Sequence, residues 1–143
     1  PPVPAGTPIT VCYPCLRSGR AAFVHDTERG MELWTPDAST DADRWELLRT
    51  PTYVTWQGER WLYCCDRPMA YLGEWQTILA GLHAPNNPRQ FFEAIAGSGE
   101  DDEGEGVMLG EVYGALAGGT GPVAAYVFRC RECGAHRAHW DFE

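Results

Sequence analysis

The six cysteines of this 143-residue chain, at positions 12, 15, 64, 65, 130 and 133, are the residues best suited to chemistry. Zinc takes four soft or borderline ligands in a tetrahedron, and two cysteines separated by two residues suit it. The turn between them aims both sulfurs at one ion. Cys130-Arg131-Glu132-Cys133-Gly134 has that spacing, with a glycine after the second cysteine to ease the turn. Cys12-Tyr13-Pro14-Cys15 has the same spacing. Two such knuckles make a complete four-cysteine site if the two ends of the chain meet in space. Sites built only from cysteine are usually structural, whereas a catalytic zinc keeps an open position and uses His or carboxylate ligands.

Other readings of these thiols stand beside that one. In a secreted chain six cysteines would suggest three disulfides, but in a reducing cytosol Cys-x-x-Cys points to metal or redox chemistry. Cys12-Tyr13-Pro14-Cys15, with Pro before its second cysteine, resembles a redox dithiol. Such motifs normally open a helix, and Leu16-Arg17-Ser18-Gly19 is a poor helix start. Cys64 and Cys65 read as buried free thiols. Adjacent residues of a strand point to opposite faces, so one of these two at most is expected at a shared site.

Of the four histidines, His136 and His139 follow the last knuckle closely enough to lend a ligand, although exposed hairpin positions are the commoner outcome. The segment 97–106 holds five acidic residues among glycines and reads as a solvated loop. Its carboxylates suit calcium, but their spacing does not match the helix-loop-helix calcium motif. There is no phosphate-binding loop, no Gly-x-Gly-x-x-Gly and no His-Glu-x-x-His. No Ser/His/Asp set or carboxylate pair stands out, so the sequence gives no positive sign of an enzyme.

The elements that would position the thiols follow from periodicity. Val123–Arg129 and 135–142 read as strands running into and out of the last knuckle, which is how a zinc-ribbon hairpin is built. Shorter strands are expected at 21–25 and 31–34, and the segment 53–64 is dense in aromatics. A short helix over 41–49 would carry Trp45 and Leu48 on one side, and would stop before Thr50-Pro51. Trp75, Ile78, Leu79 and Leu82 fall on one helical face. Asn87-Pro88 reads as the cap and first turn of a helix burying Phe91, Phe92 and Ile95. Leu109, Val112, Tyr113 and Leu116 suggest another, ended by Gly118-Gly119. The expected fold is α+β, one unit over 1–143, with short antiparallel strands, a zinc-ribbon hairpin and about three helices.

Net charge is −9, and the eleven basic residues are all Arg. Such acidity repels phosphate backbones and steers toward a basic partner, so nucleic acid is not expected as a ligand. No apolar run approaches the roughly 20 residues of a membrane helix. The opening Pro1-Pro2-Val3-Pro4 lacks the features of a signal peptide and an initiator Met. The expectation is a cytoplasmic protein whose chain begins inside a longer gene product.

Arg49-Thr50-Pro51-Thr52-Tyr53, Trp56-Gln57, Glu59-Arg60-Trp61-Leu62, Cys65-Asp66 and Ala70-Tyr71-Leu72-Gly73, followed by Tyr126 to Gly134, resemble the CbrC-like family of small bacterial proteins. The resemblance spans roughly residues 9–76 and 123–141. Its name-giving member is associated with tolerance to a DNA-cleaving colicin, and some relatives look like immunity proteins in toxin clusters. The family usually carries a second Cys-Pro-x-Cys where this chain has Trp34-Thr35-Pro36-Asp37, and often a Cys where it has Met69. Six cysteines cannot fill two four-ligand sites unless another group takes part. The resemblance and the two intact pairs together imply one zinc on Cys12, Cys15, Cys130 and Cys133. The alternative set is Cys65, Cys130 and Cys133, with Cys64 or a nearby His as the fourth.

By that resemblance and the −9 charge, the expected role is a non-enzymatic immunity or tolerance factor that binds a basic toxin domain. The acidic loop, Trp56 and Trp61 are candidate contacts, with burial in the core as the plainer reading of both tryptophans. A small zinc-dependent hydrolase and a zinc-ribbon adaptor are the competing roles.

Overall fold

A computed structural model describes residues 12–18, 20, 33–34, 40–51, 53–55, 59–81, 84–96, 108–119 and 121–142. The expectations of an extended start at 1–11, a strand at 21–25 and a solvated loop at 97–106, and the residues His25, Trp56, Leu82 and His83, lie outside the described residues.

The organising element is a three-stranded antiparallel sheet. Its strands are β5 (Ala70–Glu74), β6 (Val123–Arg129) and β7 (His136–Phe142), with β6 in the middle. Because side chains alternate along a strand, β6 feeds two cores at once. Ala125 and Val127 point to one face, where they join Trp75, Phe92, Ile95, Ala96, Val112, Leu116 and Ala138. Tyr126 and Phe128 point to the other, and Cys130 keeps their parity: all three pack with Leu47, Tyr53, Trp61 and Met69. That parity decides which side of the sheet the last knuckle enters.

The first core is covered by helices α3 (Trp75–Ala80), α4 (Pro88–Ala96) and α5 (Met108–Gly118). All three are read from the sequence. Asn87 caps α4 through its side-chain Oδ1, which accepts from the Gln90 N–H at 3.2 Å. Gly119, at φ +61°, takes the left-handed turn that ends α5. Two more helices are described, of which the sequence reading places one. One is α1 (Tyr13–Arg17), and the other is α2 (Asp41–Leu48), the expected helix at 41–49. A capping box starts α2: the Asp43 N–H donates to Thr40 Oγ1 at 3.2 Å, and the Thr40 N–H to Asp43 Oδ2 at 3.1 Å. Its buried residues include Leu47 and Asp43, whereas Trp45, expected on the apolar side, is 57% exposed.

Four two-residue strands complete the described architecture. β1 (Leu33–Trp34) pairs in parallel with β2 (Glu59–Arg60). β3 (Tyr63–Cys64) pairs antiparallel with β4 (Arg67–Pro68), and the chain then runs directly into β5. The fold class is α+β.

The second core is aromatic with buried polar groups. Tyr53 stacks on Tyr71 with centroids 4.5 Å apart, and its hydroxyl donates to the Arg60 carbonyl at 2.8 Å. The same hydroxyl lies 3.0 Å from His139 Nε2. Trp61 is core, its indole N–H donating to Glu59 Oε2 at 3.1 Å. Burial holds His139 neutral and pulls its pKa from 6.5 down to about 4. A depressed histidine stabilises the fold above the unfolded value and loses that contribution as the proton binds the unfolded chain. Between pH 7 and pH 5 the loss from His139 is expected to be roughly 2 kcal/mol. Urea unfolding of the native chain and of His139→Gln at both pH values checks this. Equal losses in the two proteins would remove His139 from the account.

Candidate metal centre

Two tight turns bring four thiols together. The first links β3 to β4. Cys64 pairs with Arg67 across the ladder, so Cys65 and Asp66 are the two central residues of the turn. Both have positive φ, 53° and 57°, the signature of the type I′ hairpin that matches strand twist. This overturns the expectation that Cys64 and Cys65 face opposite ways, because alternation holds only while the backbone stays extended. At Cys65 the chain turns left-handed, and its thiol comes to lie 3.9 Å from that of Cys64.

The second turn links β6 to β7. The Cys130 N–H donates to the Ala135 carbonyl at 2.8 Å, and the Gly134 N–H returns to the Cys130 carbonyl at 3.1 Å. Gly134 sits at φ +76°, a conformation glycine adopts freely. The Cys133 N–H is aimed at Cys130 Sγ, 3.5 Å away. Cys64 Sγ lies 3.6 Å from Cys133 Sγ, and the sulfurs of Cys64, Cys65, Cys130 and Cys133 are all within 4.8 Å of one another. With Zn–S bonds of ~2.3 Å, the edge of a tetrahedron of sulfurs is about 3.8 Å. The separations of 3.6 and 3.9 Å bracket that edge. They are far beyond the ~2.05 Å of a disulfide. The donor set therefore fits zinc in type, number and spacing.

The protonation pattern points the same way. Cys130 is drawn down to about 6, first by the Cys133 backbone N–H. Cys64 is pushed up, and Cys65 up to about 12, in both cases first through hydrogen bonding to the Cys133 thiol. Without a cation, Cys64 and Cys65 therefore keep their protons, while the Cys133 N–H favours a thiolate on Cys130. A dication reverses the balance and lets all four ligate as thiolates.

Around the thiols, Glu46 of α2 reaches both turns. It accepts from Arg131 Nη1 at 3.3 Å and pairs with Arg67 Nη2 at 3.6 Å. The arginines are 59% and 61% exposed, so each pair contributes at most about 1 kcal/mol, and their role is to set α2 against the two turns. Arg137 Nη1 donates to the Tyr63 carbonyl at 3.1 Å and ties β7 to the first hairpin. Beside the cluster lies a cleft of about 140 Å³, below the ~300 Å³ at which small-molecule sites begin.

Of the four ligands expected from sequence, Cys130 and Cys133 are in the cluster with Cys64 and Cys65; Cys12 and Cys15 are not. Those two lie together on α1, where the Cys15 N–H donates to Cys12 Sγ at 3.3 Å. His136 packs its ring on Phe91 with centroids 5.7 Å apart, and His139 faces Tyr53, so neither joins the thiols. Among the described residues no other group of three or more metal-ligating side chains comes this close. The cluster is the alternative set named from sequence, Cys65, Cys130 and Cys133 with Cys64 as the fourth.

The whole described fold lies inside a family match. Residues 6–142 match the model of an uncharacterised protein family, UPF0167. The chain belongs to that family. Proteins of the family from Mycobacterium bovis and Mycobacterium tuberculosis are each 30% identical to it over 139 residues, covering 92% of this chain and 68% of their own length. One from Pseudomonas aeruginosa is 30% identical over 138 residues, 95% of this chain and 72% of its own. No solved structure matches.

Serine at Cys64 or Cys130 is expected to abolish zinc retention and to lower Tm by roughly 10 °C or more. Serine at Cys12 should leave the zinc of this cluster in place. Elemental analysis with thermal unfolding of the three variants reads both effects. Zinc lost with Cys12→Ser and kept with Cys64→Ser would restore the ligand set expected from sequence.

Proposed function

We propose that the protein is a non-enzymatic structural-zinc protein acting as an immunity or tolerance factor: an acidic surface that binds and neutralises a basic toxin domain. The observation that carries the non-enzymatic half is the donor set. Four thiolates would complete a zinc tetrahedron and leave no position for water or substrate. Zinc here welds two hairpin turns and thereby fixes the edge of the fold.

The partner half rests on charge and on the resemblance to CbrC-like proteins. A net charge of −9 favours a basic protein and raises its rate of encounter. Nuclease domains present basic surfaces to their substrate, and an acidic protein both steers to such a surface and blocks it. No described helix is long and apolar enough to cross a membrane. Action in the cytoplasm is part of the same reading.

The test is survival. Bacteria expressing the chain should withstand a DNA-cleaving colicin better than bacteria expressing Cys130→Ser at equal protein level, and purified protein should not retard duplex DNA at low salt. Equal survival would reject the immunity role, and a shifted DNA band would favour an adaptor that touches nucleic acid.

A further inference from the structure

Cys12 and Cys15 are left over by the metal cluster, and their arrangement is not that of two inert thiols. The Cys15 N–H is directed at Cys12 Sγ, 3.3 Å away, which favours a thiolate on Cys12. Cys12 is exposed, whereas Cys15 is half-buried. Tyr13, between them, is 63% exposed, an apolar surface beside the outer sulfur. The turn is held in place by three contacts. The Leu16 N–H donates to the Cys12 carbonyl at 3.1 Å, the Arg20 N–H to the Cys15 carbonyl at 3.0 Å, and Leu16 is buried. A single helical turn, Tyr13–Arg17, follows Cys12, which caps it, and it ends at Ser18, within the stretch read as a poor helix start.

We propose that Cys12 and Cys15 form a dithiol–disulfide pair, separate from the metal cluster, that exchanges with disulfide substrates. An outer, hydrogen-bonded sulfur followed two residues later by a shielded one is the division of labour that thiol–disulfide exchange requires. The Cys12 thiolate attacks one sulfur of the substrate disulfide, forming a mixed disulfide and releasing one thiolate, which takes up a proton. Cys15 then gives its proton to solvent, attacks Cys12 Sγ and expels the second thiol. Two electrons pass from the pair to the substrate, which is the oxidant. The pair ends as a Cys12–Cys15 disulfide, and two substrate thiols are released.

The pairing of a metal cluster with a free dithiol makes the two sites separable by experiment. Zinc-loaded full chain is incubated with glutathione disulfide, the remaining thiols are alkylated, and peptides are mapped by mass spectrometry. The expected product is a Cys12–Cys15 disulfide with zinc still bound. Cys15→Ser should trap glutathione on Cys12, and Cys12→Ser should trap at least about tenfold less on Cys15. Three results would overturn the proposal. They are a second zinc bound by Cys12 and Cys15 in the native chain, both thiols still reduced after incubation, and equal trapping in the two variants.

Discussion

Four sulfurs within 4.8 Å of one another are a constraint before they are a binding site. Left as thiolates they repel, and left as thiols they hold polar protons against each other at a partly exposed edge. Each of the two turns that carry them is locally sound, with positive φ at Cys65, Asp66 and Gly134 and its own hydrogen bonds. What they lack alone is a reason to stay together. A dication would supply it, and the free energy of ligation would become free energy of folding. The rest of the second core depends on this junction, since Cys130 continues directly from the buried Tyr126 and Phe128, and Cys64 leads through β4 and Met69 into β5.

The sheet explains why the junction lies where it does. Its centre strand alternates between a helix-covered apolar core and an aromatic core, and odd and even positions of β6 are committed from Val123 onward. Tyr53 is the hub of the second core, touching Trp61, Tyr71, Tyr126, Phe128 and His139 with ring centroids 4.5–6.2 Å apart. Stability is thus divided: the helical side rests on burial, whereas the cysteine side combines ring packing and buried hydrogen bonds with a thiol cluster that could hold a metal ion.

Much of this was legible in the residues. The β6–β7 hairpin and its knuckle follow from strand pattern and Cys-x-x-Cys-Gly, and helices α3 to α5 follow from apolar periodicity and the Asn87 cap. What was not legible was tertiary. Two intact Cys-x-x-Cys pairs look like the natural partners, and nothing local says that Cys130 shares a core with β3 instead of with α1. The alternation rule also failed at Cys65, since a single left-handed residue cancels it. Trp45 misled for a different reason: a large apolar residue draws the helix face toward itself, yet the space beneath α2 is filled by Leu47.

The central claim is that one zinc is held by Cys64, Cys65, Cys130 and Cys133. Zinc-edge X-ray absorption on a chain carrying both Cys12→Ser and Cys15→Ser tests it most directly. The account predicts a shell of four sulfurs at ~2.3 Å with one zinc per chain. A shell containing nitrogen or oxygen, or a chain that no longer holds zinc, would contradict it.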